Sequence, residues 1–484
     1  MSPRNVLPFL FSALLAGFAS NASAAPLTLL AAPSFQDEGG GDGGGDDSSG
    51  SGEAEPAVED EGLDSEAMAL VGGDVYTVTG PVLRGATVLV RKGKIKKIGY
   101  DIEIPNDAKS YDVSGMRVYP GLIAFGSVGL IGGTGDVTDT IDPFNPRMVL
   151  ALAAGITATG QGSDVIKLKR YEIAGAVMKD AKPITTLAWT TRNPDSKRSL
   201  RDKLKSAAKY IRDYRKWEED KKKDKELKEP SKKGVDSTVV SVLRGDITAK
   251  FNIDDRADLL SLARLAQEYG FRPIIDGARE AWTVADELGR AGATAIITPR
   301  ERRWKEEILV REGGSSIENA AILYRSGVPV AILPQSKGVD LGGIVGRDIM
   351  HLAIEADFAV RGGLPEQAAL EAITIVPARL FGHGHRIGSL EEGKDADIVI
   401  TDGDILHYQT FVQYAFVDGK LVYDKEEELW FAHIRPRPVA ELAPETKVDP
   451  GEVAPEEEAE AMGQPEEGEE PSEEPKDKEP EDSK

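Results

Sequence analysis

Apolar and polar positions alternate at period two through AMALVGGDVYTVTG, ATVLVRKGKIKKIG and RVYPGLIAFGSV, with β-branched residues inside and Gly-rich breaks between. That pattern predicts short strands of a small β unit. From about residue 146 the period lengthens. PRMVLALAAG, DLLSLARLAQEYG, AWTVADELGRAG and SIENAAILYRSG read as amphipathic helices, and between helices lie the short apolar runs GITATG, ITTLAWTT, TAKFNID, RPIID, ATAIITP and VPVAILP. Helix, glycine and buried strand in repetition is the mark of βα units on a parallel sheet, and this many units favour a closed barrel, whose chemistry sits at the C-terminal strand ends. HRIGSLEEGKDADIVITDGD and YAFVDGKLVYD then return to strands and tight turns. The expected class is α/β, a (β/α)8 TIM-type barrel over 121–385, with a composite β-sandwich built from both ends of the folded body, 67–120 and 386–435.

The chain has 484 residues, 40% of them hydrophobic, and no cysteine, so neither disulfides nor thiolate ligands contribute. The opening MSPRNVLPFLFSALLAGFASNASAAP has Arg4, an apolar run from Leu7 to Phe18 and a small-residue site near Ala24, the pattern of a cleaved secretory signal over 1–24. An exported protein, periplasmic or extracellular, is expected. Beyond that leader no run approaches the roughly 18 apolar residues of a spanning helix, so the mature form is expected to have no membrane span.

The net charge of −23 is unevenly placed. Residues 36–66 hold twelve acidic and no basic side chains, and 441–484 hold eighteen acidic against four basic, which leaves the rest of the chain at +3. Segments 25–66 and 436–484 are too poor in apolar residues to offset ordering entropy and read as a disordered Gly/acidic linker and a disordered acidic tail. Nothing in this charge balance suggests nucleic acid, whose phosphates need a basic face. One stretch, KRSLRDKLKSAAKYIRDYRKWEEDKKKDKELKEPSKKG, is densely charged; Leu200, Leu204, Ala207, Ala208, Ile211 and Tyr214 recur in it at helical spacing, leaving lysines and arginines on the opposite face. That face is either simply solvated or a dock for the chain's own acidic segments or an acidic partner.

VGGDVYTVTG, VLVRKGKIKKIG, VYPGLI, LEAITIVPARLFG, RIGSLEEGKDADIVITDGD and FVDGKLVY together resemble the framework of the amidohydrolase superfamily, its imidazolonepropionase-like branch in particular. The resemblance covers about residues 68–425. It implies a metal centre that makes hydroxide at neutral pH and polarises a carbonyl, held by a His-x-His pair, a bridging lysine or carboxylate, two lone histidines and an aspartate. Against PG-L-I-D-x-H-x-H this chain keeps Pro120, Gly121, Leu122 and Ile123 but has Ala124 for the aspartate and Gly126 and Val128 for the histidines. The bridging position falls at about Leu187, the lone histidines at Asn252 or Ile253 and at Gly277, and the last aspartate at Pro334 or Gln335. A cruder count agrees: the histidines are His351, His383, His385, His407 and His433, none before residue 351.

His383 and His385 form a His-x-His that reads as a surface loop after the last barrel helix, His351 as a packed or solvated helix residue, and His407 and His433 likewise as structural. Asp254, Asp255 and Asp276 fall at strand ends and suit a hard cation, although Asp255 and Arg256 equally begin a helix. The expectation is a degenerate, non-catalytic amidohydrolase-like protein that binds a small molecule, or pairs with a histidine-complete relative, through a mouth edged by Ser127, Asp254, Asp276, Arg279 and Gln335. No cofactor is expected. The competing expectation is an active hydrolase of C–N bonds in cyclic amides, with zinc or another divalent ion in a rearranged carboxylate site.

Overall fold

The computed structural model describes residues 67–125, 130, 137–161, 164–179, 181–224, 227–301, 314–335, 339 and 348–428. Residues 1–66 and 429–484, His433 among them, and Gly126, Ser127 and Val128 lie outside the described residues.

The chain opens with β1 (Ala67–Tyr76), β2 (Val82–Arg91), β3 (Lys94–Gly99), β4 (Lys109–Asp112) and β5 (Arg117–Pro120), and β6 (Leu122–Phe125), α1 (Val137–Thr140) and α2 (Pro146–Ala153) follow. Next come β7 (Ile156–Gln161), β8 (Asp164–Lys167), β9 (Val177–Met178) and β10 (Ile184–Thr186), then α3 (Pro194–Lys221), α4 (Ser237–Arg244), β11 (Thr248–Ile253) and α5 (Arg256–Tyr269). The βα rhythm continues through β12 (Ile274–Gly277), α6 (Ala285–Arg290), β13 (Thr294–Ile297), α7 (Asn319–Arg325) and β14 (Val330–Ile332). After α8 (Leu352–Arg361), α9 (Glu366–Ile373) and α10 (Ile375–Leu380), the chain closes with β15 (Ile398–Thr401), β16 (Val412–Val417) and β17 (Lys420–Asp424).

Strands from the two ends share one sheet in the order β17-β16-β15-β5-β1-β2-β3, with β4 also on β1. Residues 120 and 398 are directly opposite: β5 and β15 run antiparallel from Pro120↔Ile398 to Arg117↔Thr401. The strands of the two chain ends thus share one eight-stranded sheet. The reason lies in β1, which is ten residues long and bends at register shifts on either side of Gly73, next to Gly72 at φ +82°. It can therefore pair with β2 along one edge and with β4 and then β5 along the other, and the sheet wraps a core that includes Leu70, Val88, Val118, Ile398, Ile400 and Phe416.

The parallel strands fall into two runs, β6-β7 and β10-β11-β12-β13-β14. The first continues antiparallel into β8 and β9. Successive side chains of a strand face opposite ways, and the burial follows. Phe251, Ile253, Ile275, Ala295, Ile297 and Ile332 pack with the helix layer around Leu259, Leu262 and Leu288. Ile274, Ile296 and Ala331 instead share an inner cluster with Ile123, Phe125 and Ala158 of the other run, stoppered by Val376 and Phe381. The two runs thus look onto one apolar interior, although no strand pairing joins them among the described residues.

α3 takes its 28 residues from the charged stretch. Asn193 caps it by accepting from the Ser196 N–H, Pro194 starts it, and Leu200, Leu204, Ala207 and Tyr210 form its buried stripe. Between β8 and the eight-stranded sheet lies a buried ion cluster. Lys167 Nζ donates to Asp395 at 2.8 Å and to Asp397 at 3.1 Å and also binds Asp418, while Lys94 and Arg386 reach Asp395 at 2.6 and 2.7 Å. The two aspartates of GKDADIVI are therefore structural. Burial alone would lower the Lys167 pKa, but the three carboxylates outweigh it and hold the ammonium firmly charged.

Candidate functional site

Four adjacent parallel strands, β11 to β14, end at a common cavity of about 240 Å³. Asp254 follows β11, Asp276 and Gly277 end β12, Thr298 and Glu301 follow β13, and Pro334 and Gln335 follow β14; with Arg279 they line it. The C-terminal strand ends of a parallel sheet are the usual place for a ligand. Asp254, Asp276, Arg279 and Gln335, separated by up to 81 positions in sequence, thus meet around one pocket, while Ser127 lies outside the described residues.

The pocket is organised by ion pairs. Arg279 contacts Asp254 Oδ2 at 3.2 Å and also binds Glu301, and Lys250 Nζ donates to Asp276 Oδ2 at 3.3 Å. Burial raises the Asp254 carboxyl above its ordinary range, Arg279 opposing and Glu301 adding to the rise. Its Oδ1 is sealed from solvent and, among the described residues, has no hydrogen-bond partner. Lys250 and Glu301 are functional candidates the sequence reading passed over. Alternation along TAKFNI carries the signal, because Lys250 lies on the same strand face as Asn252 and opposite buried Ala249, Phe251 and Ile253.

A tight turn holds the cavity wall. Gly277 has φ +104° and Ala278 φ +47°, the Ala278 N–H donates to the Ile253 carbonyl at 2.8 Å, and the Glu280 N–H donates to the Asp254 carbonyl at 3.0 Å. A Cβ on Gly277 would stand 2.5 Å from Asp254 Oδ1. Glycine is thus required at this position for both conformation and space.

Two expectations need correcting or sharpening. His383 is no surface-loop residue: it is 1% exposed, its ring 6.2 Å from that of the exposed His385, because the turn after α10 folds its backbone onto the helix end and the Ala378 carbonyl accepts the His383 N–H at 2.8 Å. Leu187, which the resemblance sets at about the bridging position, is half-buried and packs on the helix-side core, and Ile253 is buried there too, so Asn252 is the inner-face residue of its pair. His351 pairs with Asp348 where α8 begins, and His407 lies in the turn before β16.

Residues 283–426 match the model of the amidohydrolase family. A solved amidohydrolase from Thermotoga maritima MSB8 superposes with a TM-score of 0.55 at 24% identity, covering 74% of this chain and all of that one. Over residues 283–426 the chain is similar to the amidohydrolase family, and its fold is shared with a solved amidohydrolase. Its curated relatives include the amidohydrolase tasK of Hapsidospora irregularis, 24% identical over 72% of this chain, and the imidazolonepropionase of Thermoplasma volcanium, 34% identical over 23% of it. The alignments span 41% and 28% of those two proteins.

Among the described residues, the positions that the resemblance assigns to the superfamily's metal centre do not carry donors that fit it. Ala124 and Leu187 are apolar, a side chain on Gly277 would collide with Asp254, and the carboxylates around the pocket already face Arg279 and Lys250. Among the described residues no group of three or more histidine or carboxylate side chains is placed to hold a metal ion. Nor is any helix among them long and apolar enough to cross a membrane.

Proposed function

We propose that this amidohydrolase-superfamily protein is exported and non-hydrolytic, and that the cavity at the ends of β11–β14 binds a small zwitterionic or polar molecule. In this reading the two parallel runs close as a (β/α)8 barrel and the cavity is its mouth. Lys250 and Arg279 supply fixed positive charge for a ligand carboxylate or carbonyl, and Asp254, Asp276 and Gln335 accept or donate to its polar edge. The observation that carries the reading is Gly277, whose φ of +104° and 2.5 Å approach to Asp254 Oδ1 leave no room for the imidazole that the superfamily's chemistry uses. Without an activated water, several kcal/mol of transition-state stabilisation are missing.

Elemental analysis of the purified protein, alongside hydrolysis assays on imidazolone, hydantoin and dipeptide substrates, tests this. Well under one divalent ion per chain and no turnover are expected. One specific feature supports the alternative, a hydrolase of C–N bonds in cyclic amides: the Asp254 carboxyl is raised and has a buried free oxygen, the state of a general base. Stoichiometric zinc, with turnover abolished by Asp276→Ala, would establish that alternative and overturn the first reading.

A further inference from the structure

A second and larger cavity, about 920 Å³, lies at the opposite, N-terminal ends of the parallel strands. Its floor is built where helices hand over to strands, at Ile247–Thr248 before β11, Pro273–Ile274 before β12 and Pro329 before β14. Around it stand Lys182, Arg244, Arg272, Arg290 and Arg379, and no aspartate or glutamate lines it. Arg290 has only a loose contact with Glu287, 3.9 Å, one turn back. The other four cations have no carboxylate partner among the described residues; Arg244 lies over the Tyr214 ring at 5.4 Å. Lys205, Arg212 and Arg215 of α3, together with Glu268 of α5, edge a neighbouring hollow that shares Leu243 with this cavity, so the basic residues outnumber the one carboxylate there.

Cations at helix C-termini have a plain role, since they complement the carbonyl ends. Arg244 and Arg290 are the last residues of α4 and α6. That role does not account for the whole set. The ends of α4, α5, α6, α7 and α10 converge here, and even at roughly half a negative charge each they offset about half of five cations. A concave surface of one sign focuses its potential and attracts a ligand of the other.

We propose that this cavity is an anion-binding site whose occupant is the Glu-rich C-terminal segment of the same chain, residues 441–484. That segment carries eighteen acidic against four basic residues, the complement of a cavity lined by five cations and no carboxylate. β17 ends at Asp424, sixty residues before the C-terminus. At roughly 3.3 Å per extended residue that length outreaches any point on a body of this size. Being tethered, the segment meets the cavity at an effective concentration of order millimolar, so individually weak contacts suffice. The site is distinct from the mouth at β11–β14 and does not depend on what that mouth binds.

The absence of cysteine allows a direct test on the full chain. Glu268→Cys on α5, beside the cavity, and Ser472→Cys in the acidic segment are labelled as a donor–acceptor pair. Energy transfer should be high at about 20 mM salt and fall several-fold by about 0.5 M, as the screening length drops from roughly 20 Å to roughly 4 Å. A variant carrying Arg244→Glu, Arg272→Glu and Arg379→Glu should show the low-transfer value at both salts, its circular dichroism and melting temperature reporting that the fold is kept. Where that variant fails to fold, excess free peptide of sequence 441–484 is the second measurement and should displace the tethered segment from the unaltered chain. Transfer that is insensitive to salt, or unchanged by charge reversal in a folded variant, would overturn the proposal. So would displacement by inorganic polyphosphate with none by the peptide, which would make this a small-anion site.

Discussion

Lys167 Nζ stands 2.8 Å from Asp395 Oδ2, 228 positions away in sequence, with the two side chains 1% and 3% exposed. The pair ties β8 to the turn that leads into β15, and so locks the parallel-strand body to the sheet made from both chain ends. Removing one partner of a buried cluster leaves the others charged and dry, which costs more than the pair contributes. Lys167→Met, which strands Asp395, Asp397 and Asp418 together, is expected to lose about 3–5 kcal/mol. Urea unfolding of the variant against the parent chain measures it.

The same cluster sets an acid limit. Burial pushes the Asp395 carboxyl up, but Lys167, Lys94 and Arg386 outweigh that and hold it at about 2, below its ordinary 3.8. A depressed carboxylate contributes stability that is complete above the unfolded value and lost as pH falls through the folded one, here between about pH 4 and pH 2, and worth about 2 kcal/mol. Asp397, driven up by its own burial, works in the opposite direction and makes the net fall shallower. Urea midpoints from pH 6 down to pH 2 should drop in that window, and Asp395→Asn should flatten the drop while lowering stability at pH 6.

Introducing an imidazole at the pocket wall should fail. Gly277→His places a side chain at φ +104° and 2.5 Å from Asp254 Oδ1, so a loss of about 2–4 kcal/mol is expected, with no gain of bound zinc. Gly277→Ala should lose a large part of the same stability, since strain and the Cβ contact are already present with one methyl group. Thermal melts and zinc titration of the two variants together check this; tight zinc binding by Gly277→His would refute the assignment of the turn.

Arg279 is expected to be worth more for the carboxylates it neutralises than for its own packing. Arg279→Met leaves Asp254 and Glu301 facing each other, so the Asp254 carboxyl should titrate higher still, because the opposing guanidinium charge is gone and only the backbone N–H of residue 279 still lowers it. Carboxyl chemical shifts followed against pH by NMR would show the displacement. An unmoved Asp254 titration would mean that Arg279 does not act on it.

Inside the parallel strands, Gly160 faces the Phe381 ring so closely that a Cβ would fall 1.8 Å from its Cζ, while Phe381 stacks on Phe125 at 4.7 Å. Gly160→Ala should cost about 3 kcal/mol by overpacking. Phe381→Leu should recover part of that loss in the double variant, giving a coupling of about 1 kcal/mol or more in a double-mutant cycle.

Local periodicity and residue type were enough to place the βα rhythm of TAKFNID, RPIID, ATAIITP and VPVAILP, the acid-rich flanks, and the lack of any imidazole before His351, because each depends on neighbours within a few positions or on composition alone. Relations between distant segments were decided by the tertiary structure. Register across β10–β14 put Lys250 on the pocket side and Leu187 and Ile253 against the helices, a choice that a one-residue shift would reverse. The bend of β1 let strands from both chain ends share one continuous sheet, and the turn after α10 buried His383. Charge behaved in the same way. The sequence counts a nearly neutral body, but only folding segregates Lys182, Arg244, Arg272, Arg290 and Arg379 at one end of the strands and draws Lys167 into a nest of aspartates, since electrostatic energy depends on distance and burial rather than on order along the chain.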